Sequence, residues 1–538
     1  MSLTKRLSFS KRSLKVASAA LSLSIALALA APLASASASA PAPASGAAAC
    51  TIGPAIWAGG GTPINVSAES ADGAFVASAQ GAWQNAPGVH YANGTVFLRD
   101  GPPGIFGALN AACTRIVWDD GVGSVWTRPA PLVPFNATLS NLLPRRDDTG
   151  AILRVQDGCL QRFNEKWYLY GARYQCCPVS EQPACYSPCG WRNATYAVYS
   201  SDDLEVWHLE NDNLLPISTD PDSPHSNTVT AYFEPCVLYS KAADHYVLWF
   251  LTTNTKAVAV SDSPIGPFES VSWDTGLAQG SDSYFWQDQD DPLGTVYVKH
   301  NGAPPPGENR GAHFVSQLSP DLLSFLPNKT SAAMMVPALP VPPAYQGNWP
   351  SCSEGGGIFK RDGLWYVMAA VCCCFCKNGA NAFVWVSRSG PLGPYELQNG
   401  SSSGLLGNVI PFNESSGMYL TGAQQFSVAQ VPLFAGGEPL PVYVGQRFGS
   451  ADDGLKCHDY QYLAPLSILA DGSVAEMAWV NEFTVEIGVP ESAPALLLAR
   501  AAAAAAEAEA AATPGGGGDV MGRGNEAEAG LNLSEGGE

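Results

Sequence analysis

Between residues 150 and 490 the chain repeats one pattern five times, and this recurrence limits its fold more than any other feature. Each copy is an apolar stretch, a turn and a second apolar-aromatic stretch. After a loop of variable length come a run ending in Ser-Asp or Ser-x-Ser and a late aromatic. The first copy runs from Cys159 to Gly171, resumes at Ala197 to Asp203 and ends at Trp207. The second has Val237-Leu238-Tyr239, Tyr246 to Phe250 and Val258 to Pro264, closing at Phe268. The third has Tyr284 to Trp286, Val296 to Val298 and Phe314 to Ser319. The fourth has Ile358 to Val367, Val384 to Ser387 and Tyr395, and the fifth has Phe426 to Val428, Val442 to Val444 and Tyr460 to Leu466. Copies of three or four short strands recurring every ~50–80 residues mark radial repetition, in which a unit unable to cover both its faces packs between two neighbours. The pattern predicts an all-β chain whose residues 150–490 form a five-bladed β-propeller.

The flanks differ from this module. Lys5, Arg6, Lys11, Arg12 and Lys15 precede the apolar run Val16 to Ala31 and the small-residue sites Ala34-Ser35-Ala36 and Ala36-Ser37-Ala38, the order of a secretory signal peptide over 1–38. Ser18, Ser22 and Ser24 dilute that run too much for a membrane span. Residues 50–141, with strand-like Thr114 to Trp118 and Val125 to Thr127, read as a small β-rich region outside the blades. Residues 491–538, almost pure Ala from 501 to 512 and then Gly- and Glu-rich, read as a disordered tail because nothing there can bury a face. The 14 cysteines, with Cys176-Cys177 and Cys372-Cys373-Cys374 adjacent, fit disulfides of an oxidising compartment better than zinc, since no His lies near Cys376. Eight Asn-x-Ser/Thr sequons agree with a secreted, extracellular glycoprotein.

Composition removes two classes of partner. With 28 Lys+Arg against 48 Asp+Glu and a net charge of −20, the chain is unsuited to nucleic acid or to anionic membrane surfaces. Yet acids stand just ahead of the inner strand of four copies: Asp157, Glu234, Asp282 and Glu354, with Gln424 or Gln425 in the fifth. In a propeller these positions meet at one end of the axis. Crowded carboxylates drive their pKa values apart, which suits a reaction needing one acid and one base, such as glycosidic-bond hydrolysis.

The ordered set Asp157, Asp282 and Glu354 on the first, third and fourth copies resembles glycoside hydrolase family 43, whose fold is a five-bladed propeller. The same resemblance is carried by Trp167 to Gly171, Tyr199 to Leu204 with Trp207, Ser261 to Phe268, and Glu354 ahead of Ile358 to Arg361. Glu234-Pro235 and the Gln-containing fifth copy are most similar to the galactan 1,3-β-galactosidase-like members. The resemblance implies Glu354 as the general acid, Asp282 as the group that tunes and orients it, and Asp157 as the base in an inverting reaction. It implies Glu234 and Gln424 (or Gln425) as contacts to sugar hydroxyls, with a Gln able to stand in for the base. Trp286 and Trp349 are candidates for stacking on a sugar ring. Asp157 is followed by Gly158 where the family usually has Pro.

The expected protein is therefore a secreted, monomeric glycosidase acting on galactan-, arabinan- or xylan-type carbohydrate, with a catalytically silent glycan-binding propeller as the alternative. It requires no cofactor, and Asp288-Gln289-Asp290 leaves room for a structural calcium only, lacking the Gly and terminal Glu of a calcium loop. Gly400 to Gly404 matches a nucleophile elbow by letter, but without the strand-to-helix context that strains such a turn.

Overall fold

The computed structural model describes eight strands between residues 55 and 127 and, with short interruptions, residues 132–493; the longer interruptions are 179–190, 277–281, 338–353, 371–376 and 400–406. The signal segment, almost all of the tail, Trp349 and the cysteines at 372–376 lie outside the described residues.

Five sheets follow one another along the chain and form the five-bladed propeller. Their inner strands are Leu160–Phe163, Tyr232–Ser240, Ser283–Gln287, Glu354–Arg361 and Gln424–Val431. Each pairs antiparallel with the strand that follows it, and the blade grows outward from there. The second strands, such as His245–Thr252 and Leu364–Ala370, are buried along nearly their whole length. Their sequences read Tyr-Val-Leu-Trp-Phe-Leu and Trp-Tyr-Val-Met-Ala-Ala, without alternation, because a blade between two neighbours has no solvent face. The outer strand Glu269–Ser272 is largely exposed. Between blades two and three, Trp249 packs on Phe285 and Phe325 at centroid distances of 5.6 Å and donates its indole N–H to the Leu322 carbonyl at 2.8 Å.

The eight N-terminal strands, from Ala55–Gly59 to Val125–Thr127, pair each with the next and close into a barrel where Ala58 meets Thr127. Closure leaves no unpaired edge. This β-rich stretch ends before residue 132. Leu132–Ser140, inside the 50–141 stretch of the sequence division, pairs instead with Glu482–Pro490 in unbroken register. That two-stranded sheet packs Ala137, Leu139, Val485 and Ile487 against Leu153, Leu160 and Trp167 of blade one and Val431 and Val442 of blade five.

The seam between the last and first blades is held by more than packing. Asn141 Nδ2 donates to the Leu463 carbonyl at 2.7 Å and its Oδ1 accepts from the Leu463 N–H at 2.9 Å. Gln461 Nε2 donates to the Val155 carbonyl at 2.6 Å. The disulfide Cys176–Cys457 crosses the same seam, joining residues 281 apart in sequence. A second disulfide, Cys159–Cys236, ties blade one to blade two. A cross-link over so long a loop restricts the unfolded chain strongly. Replacing Cys176 and Cys457 together by Ser is expected to cost about 2–5 kcal/mol, read as a lower unfolding midpoint; an unchanged midpoint would show that the seam does not need the cross-link.

Candidate active site

Four of the five inner strands begin with one extra residue. Register slips by one between Phe233 and Cys236, between Glu354 and Gly357 and between Gln425 and Ser427. In the first blade Gln156 pairs with Ala172 and Leu160 with Leu169, again one residue too many on the inner side. Such bulges bend the strand and re-aim a side chain. Asp157 (φ 58°) and Glu234 (φ 50°) occupy the left-handed positions of two of them, and Gly355 (φ 62°) fills that position directly after Glu354. The inner strand of blade three pairs without a slip, and Asp282 precedes Ser283–Gln287 directly. Gly158 has its own reason: a Cβ there would stand 1.9 Å from the Tyr170 carbonyl oxygen, so the family's usual Pro has no room.

Asp157 is buried, and the Tyr174 phenol donates a hydrogen bond to its Oδ2, while Oδ1, itself buried, has no partner among the described residues. Burial pushes its pKa up to about 7, with Glu234 and Asp459 adding to the rise and Tyr174 and Lys456 opposing it. Glu234 accepts from Lys256 Nζ at 3.1 Å, the Ser283 N–H at 3.3 Å and the Tyr284 hydroxyl at 3.0 Å. Three of its roughly four lone-pair sites are thus filled from within the protein. Its ion pair with Lys256 is buried on both sides.

Asp282 Oδ2 accepts from the Gly355 N–H at 2.8 Å. Burial, then the nearby Glu234 and Glu354, hold its pKa well above the usual carboxylate range against the pull of Lys299. Glu354 is half-buried, where Asp157, Glu234 and Asp282 are buried, and its Oε2 accepts from Gln424 Nε2 at 3.0 Å. A pocket lined by Asp157, Glu234, Ser283 and Tyr284 reaches down to Cys159 and Cys236.

The structure thus links Asp157, Glu234, Asp282, Glu354 and Gln424 through short polar contacts and mutual charge. It separates two other residues from them. Gln425 points the opposite way, as neighbours on a strand do, and is fully buried with Nε2 3.8 Å from Met368 Sδ. Trp286 lies three residues down its strand from Ser283, roughly 10 Å away, and packs edge-on to Trp365 at 4.5 Å between blades three and four. It is a packing residue, not a stacking platform. Among the described residues, the metal-spaced cluster Cys176, Cys457 and His458 offers no thiolates, because its two cysteines form a disulfide. Residues 289 and 290 of the candidate calcium turn lie outside the described residues.

Sequence reading missed the basic half of this site. Lys256, Lys299 and Lys456 are all buried, as are Tyr174 and Tyr284. A signal existed: Lys256 and Lys299 sit within Lys256–Ser261 and Val296–Gly302, strands too apolar to be solvent-facing, where an ammonium needs an acidic partner.

The family model for glycosyl hydrolases family 43 matches residues 184–408. No curated protein matches the chain. Among solved structures, a family 43 β-1,3-galactosidase is 17% identical with a TM-score of 0.47, over 65% of this chain and 64% of that one. The exo-β-1,3-galactanase of Phanerochaete chrysosporium with galactose is 17% identical with a TM-score of 0.44, over 63% and 66%. An endo-1,4-β-xylanase from Bacteroides thetaiotaomicron is 18% identical with a TM-score of 0.42, over 63% and 97%. The chain therefore spans a little under two thirds of the β-1,3-galactosidase's length. The segment that matches the model for glycosyl hydrolases family 43 carries Glu234, Asp282 and Glu354 at the heads of blades two, three and four.

Proposed function

We propose that this glycoside hydrolase is a secreted, inverting enzyme that cleaves galactan-, arabinan- or xylan-type chains, with β-galactan the first substrate to test because of Glu234-Pro235 and Gln424. One observation carries the proposal: carboxyl groups from four blades meet at one end of the inner strands in different electrostatic settings, burial pushing Asp282 well above the usual carboxylate range and Asp157 up to about 7. Glu354, the most exposed of them, gives its proton to the departing glycosidic oxygen. Asp282 keeps Glu354 in place through Gly355. Asp157 takes a proton from water through Oδ1, the oxygen that Tyr174 does not engage, as that water attacks the anomeric carbon and the C–O bond breaks. Its pKa near the working pH suits a general base. Inversion calls for acid and base carboxyls about 6.5–9.5 Å apart, with the water between them. No cofactor takes part in these steps.

Secretion rests on the basic-then-apolar leader and on the two disulfides. It is supported by exposed sequons at Asn136, Asn193, Asn328, Asn399 and Asn413. Among the described residues no helix is long and apolar enough to cross a membrane.

The test is a panel of aryl β-galactosides, α-arabinofuranosides and β-xylosides beside the corresponding oligosaccharides, with the first-formed anomer followed by proton NMR. Release of an inverted sugar from at least one substrate is expected. A retained anomer would overturn the mechanism, and glycan binding with no product from any substrate would overturn the enzymatic reading.

A further inference from the structure

We propose that Lys299 is a positioning residue for Glu354: its ammonium and the Asp282 carboxyl hold the two polar groups of Gly355, the ammonium at the carbonyl and the carboxyl at the N–H. The inference rests on the acid role proposed for Glu354. Lys299 Nζ donates to the Gly355 carbonyl and, at 2.8 Å, to Asn301 Oδ1. Asp282 Oδ2 accepts from the Gly355 N–H at 2.8 Å. Gly355 lies in the left-handed region, and a Cβ there would come within 2.3 Å of the Gln425 carbonyl oxygen, so only glycine fits. Glycine is also the residue whose backbone is least self-restrained. Without outside contacts, the direction of the Glu354 side chain would be set by the softest dihedrals in the strand. The two hydrogen bonds fix them from both sides.

The surroundings are built for this arrangement. Lys299 is fully buried on Val296–Gly302, with Nζ 5.4 Å from the Tyr284 ring centroid. Asn301 Oδ1 is in turn 3.0 Å from His313 Nδ1, and His300 bridges the Asn301 carbonyl and the Ser316 hydroxyl. At Gly356 a Cβ would fall 2.8 Å from Nζ, so the second glycine of the run opens the path for the ammonium. Burial lowers the Lys299 pKa to about 8; of the charged groups facing it, Asp282, Glu234 and Glu354 favour the ammonium and Lys256 opposes it, and burial lowers the pKa of His300 and His313 beside it. A counter-charge alone would need neither the Asn301 contact nor the Gly355 carbonyl.

The test compares full-length wild type, Lys299→Met and Asn301→Ala. Lys299→Met is expected to lower kcat about 10–100-fold with KM nearly unchanged. It should move the alkaline limb of the kcat/KM profile to higher pH, because the acids lose a cation that favours their ionised forms. Asn301→Ala keeps the charge but frees the ammonium, so kcat falls while the limb stays. Hydrogen exchange of the segment containing Gly355 should speed up in both variants. An unchanged kcat and pH profile in Lys299→Met, or unchanged exchange in Asn301→Ala, overturns the proposal. If Lys299→Met does not fold, Asn301→Ala decides through kcat and exchange. If wild type cleaves nothing in the panel, the glycosidase reading fails, and exchange alone still decides whether Lys299 holds Gly355.

Discussion

Glu354→Gln is expected to lower kcat by about 10²–10⁴-fold on natural oligosaccharides while leaving the unfolding midpoint almost unchanged. The amide keeps the volume of the acid and can still accept the bond from Gln424 Nε2, so the local structure has no reason to move. What is lost is the proton. The loss should therefore depend on the leaving group: aryl glycosides with acidic phenols, which depart without protonation, should keep most of their rate, whereas alkyl glycosides and oligosaccharides should not. Steady-state rates across a series of aryl leaving groups measure this. An equal loss for every leaving group would mean that Glu354 binds sugar or supports structure, and the acid would have to be found elsewhere in the ring.

Asp157→Asn should change the pH dependence of stability as well as stop the reaction. Burial raises this carboxyl from 3.8 to about 7 in the folded protein. The folded state thus holds a proton that the unfolded state has released over the intervening range. Its contribution is fully present below about pH 4 and is lost as pH rises through about 7. At about 1.4 kcal/mol per pH unit, the contribution is at most roughly 4 kcal/mol. Wild type should lose thermal stability between pH 5 and pH 8, with Asp282 acting in the same direction. The Asn variant, permanently neutral and still able to accept from Tyr174, should show a shallower slope and exceed wild type at pH 8. Parallel slopes for the two proteins would place the Asp157 titration outside this window.

The fold was legible where burial leaves a regular trace in sequence. Second strands such as His245–Thr252 are apolar on both faces, and five of them at similar spacing point to blades. The N-terminal barrel was harder to see, because Ala74–Ala79 and Ile105–Leu109 are short and rich in Ala and Gly. Leu132–Ser140 gave no hint of its partner, which is more than 340 residues away. The acids of the site could be found from their recurring place ahead of the inner strands. Choosing between Gln424 and Gln425 could not, because a one-residue bulge decides which amide faces the axis, and bulges leave no periodic signal. The lysines stayed hidden for a related reason: Lys256 meets Glu234 across its own blade and Lys299 meets Gly355 of the next blade, pairings that only the folded sheets create.

The most direct test of the account is a crystal structure of Glu354→Gln with an oligosaccharide that wild type cleaves. A sugar is expected at the heads of the inner strands, its scissile oxygen within about 2.6–3.2 Å of the residue 354 side chain, with a water facing Asp157 on the far side of the ring. A sugar bound on the outside of a blade, or one in the channel with its scissile bond out of reach of residue 354, would contradict it.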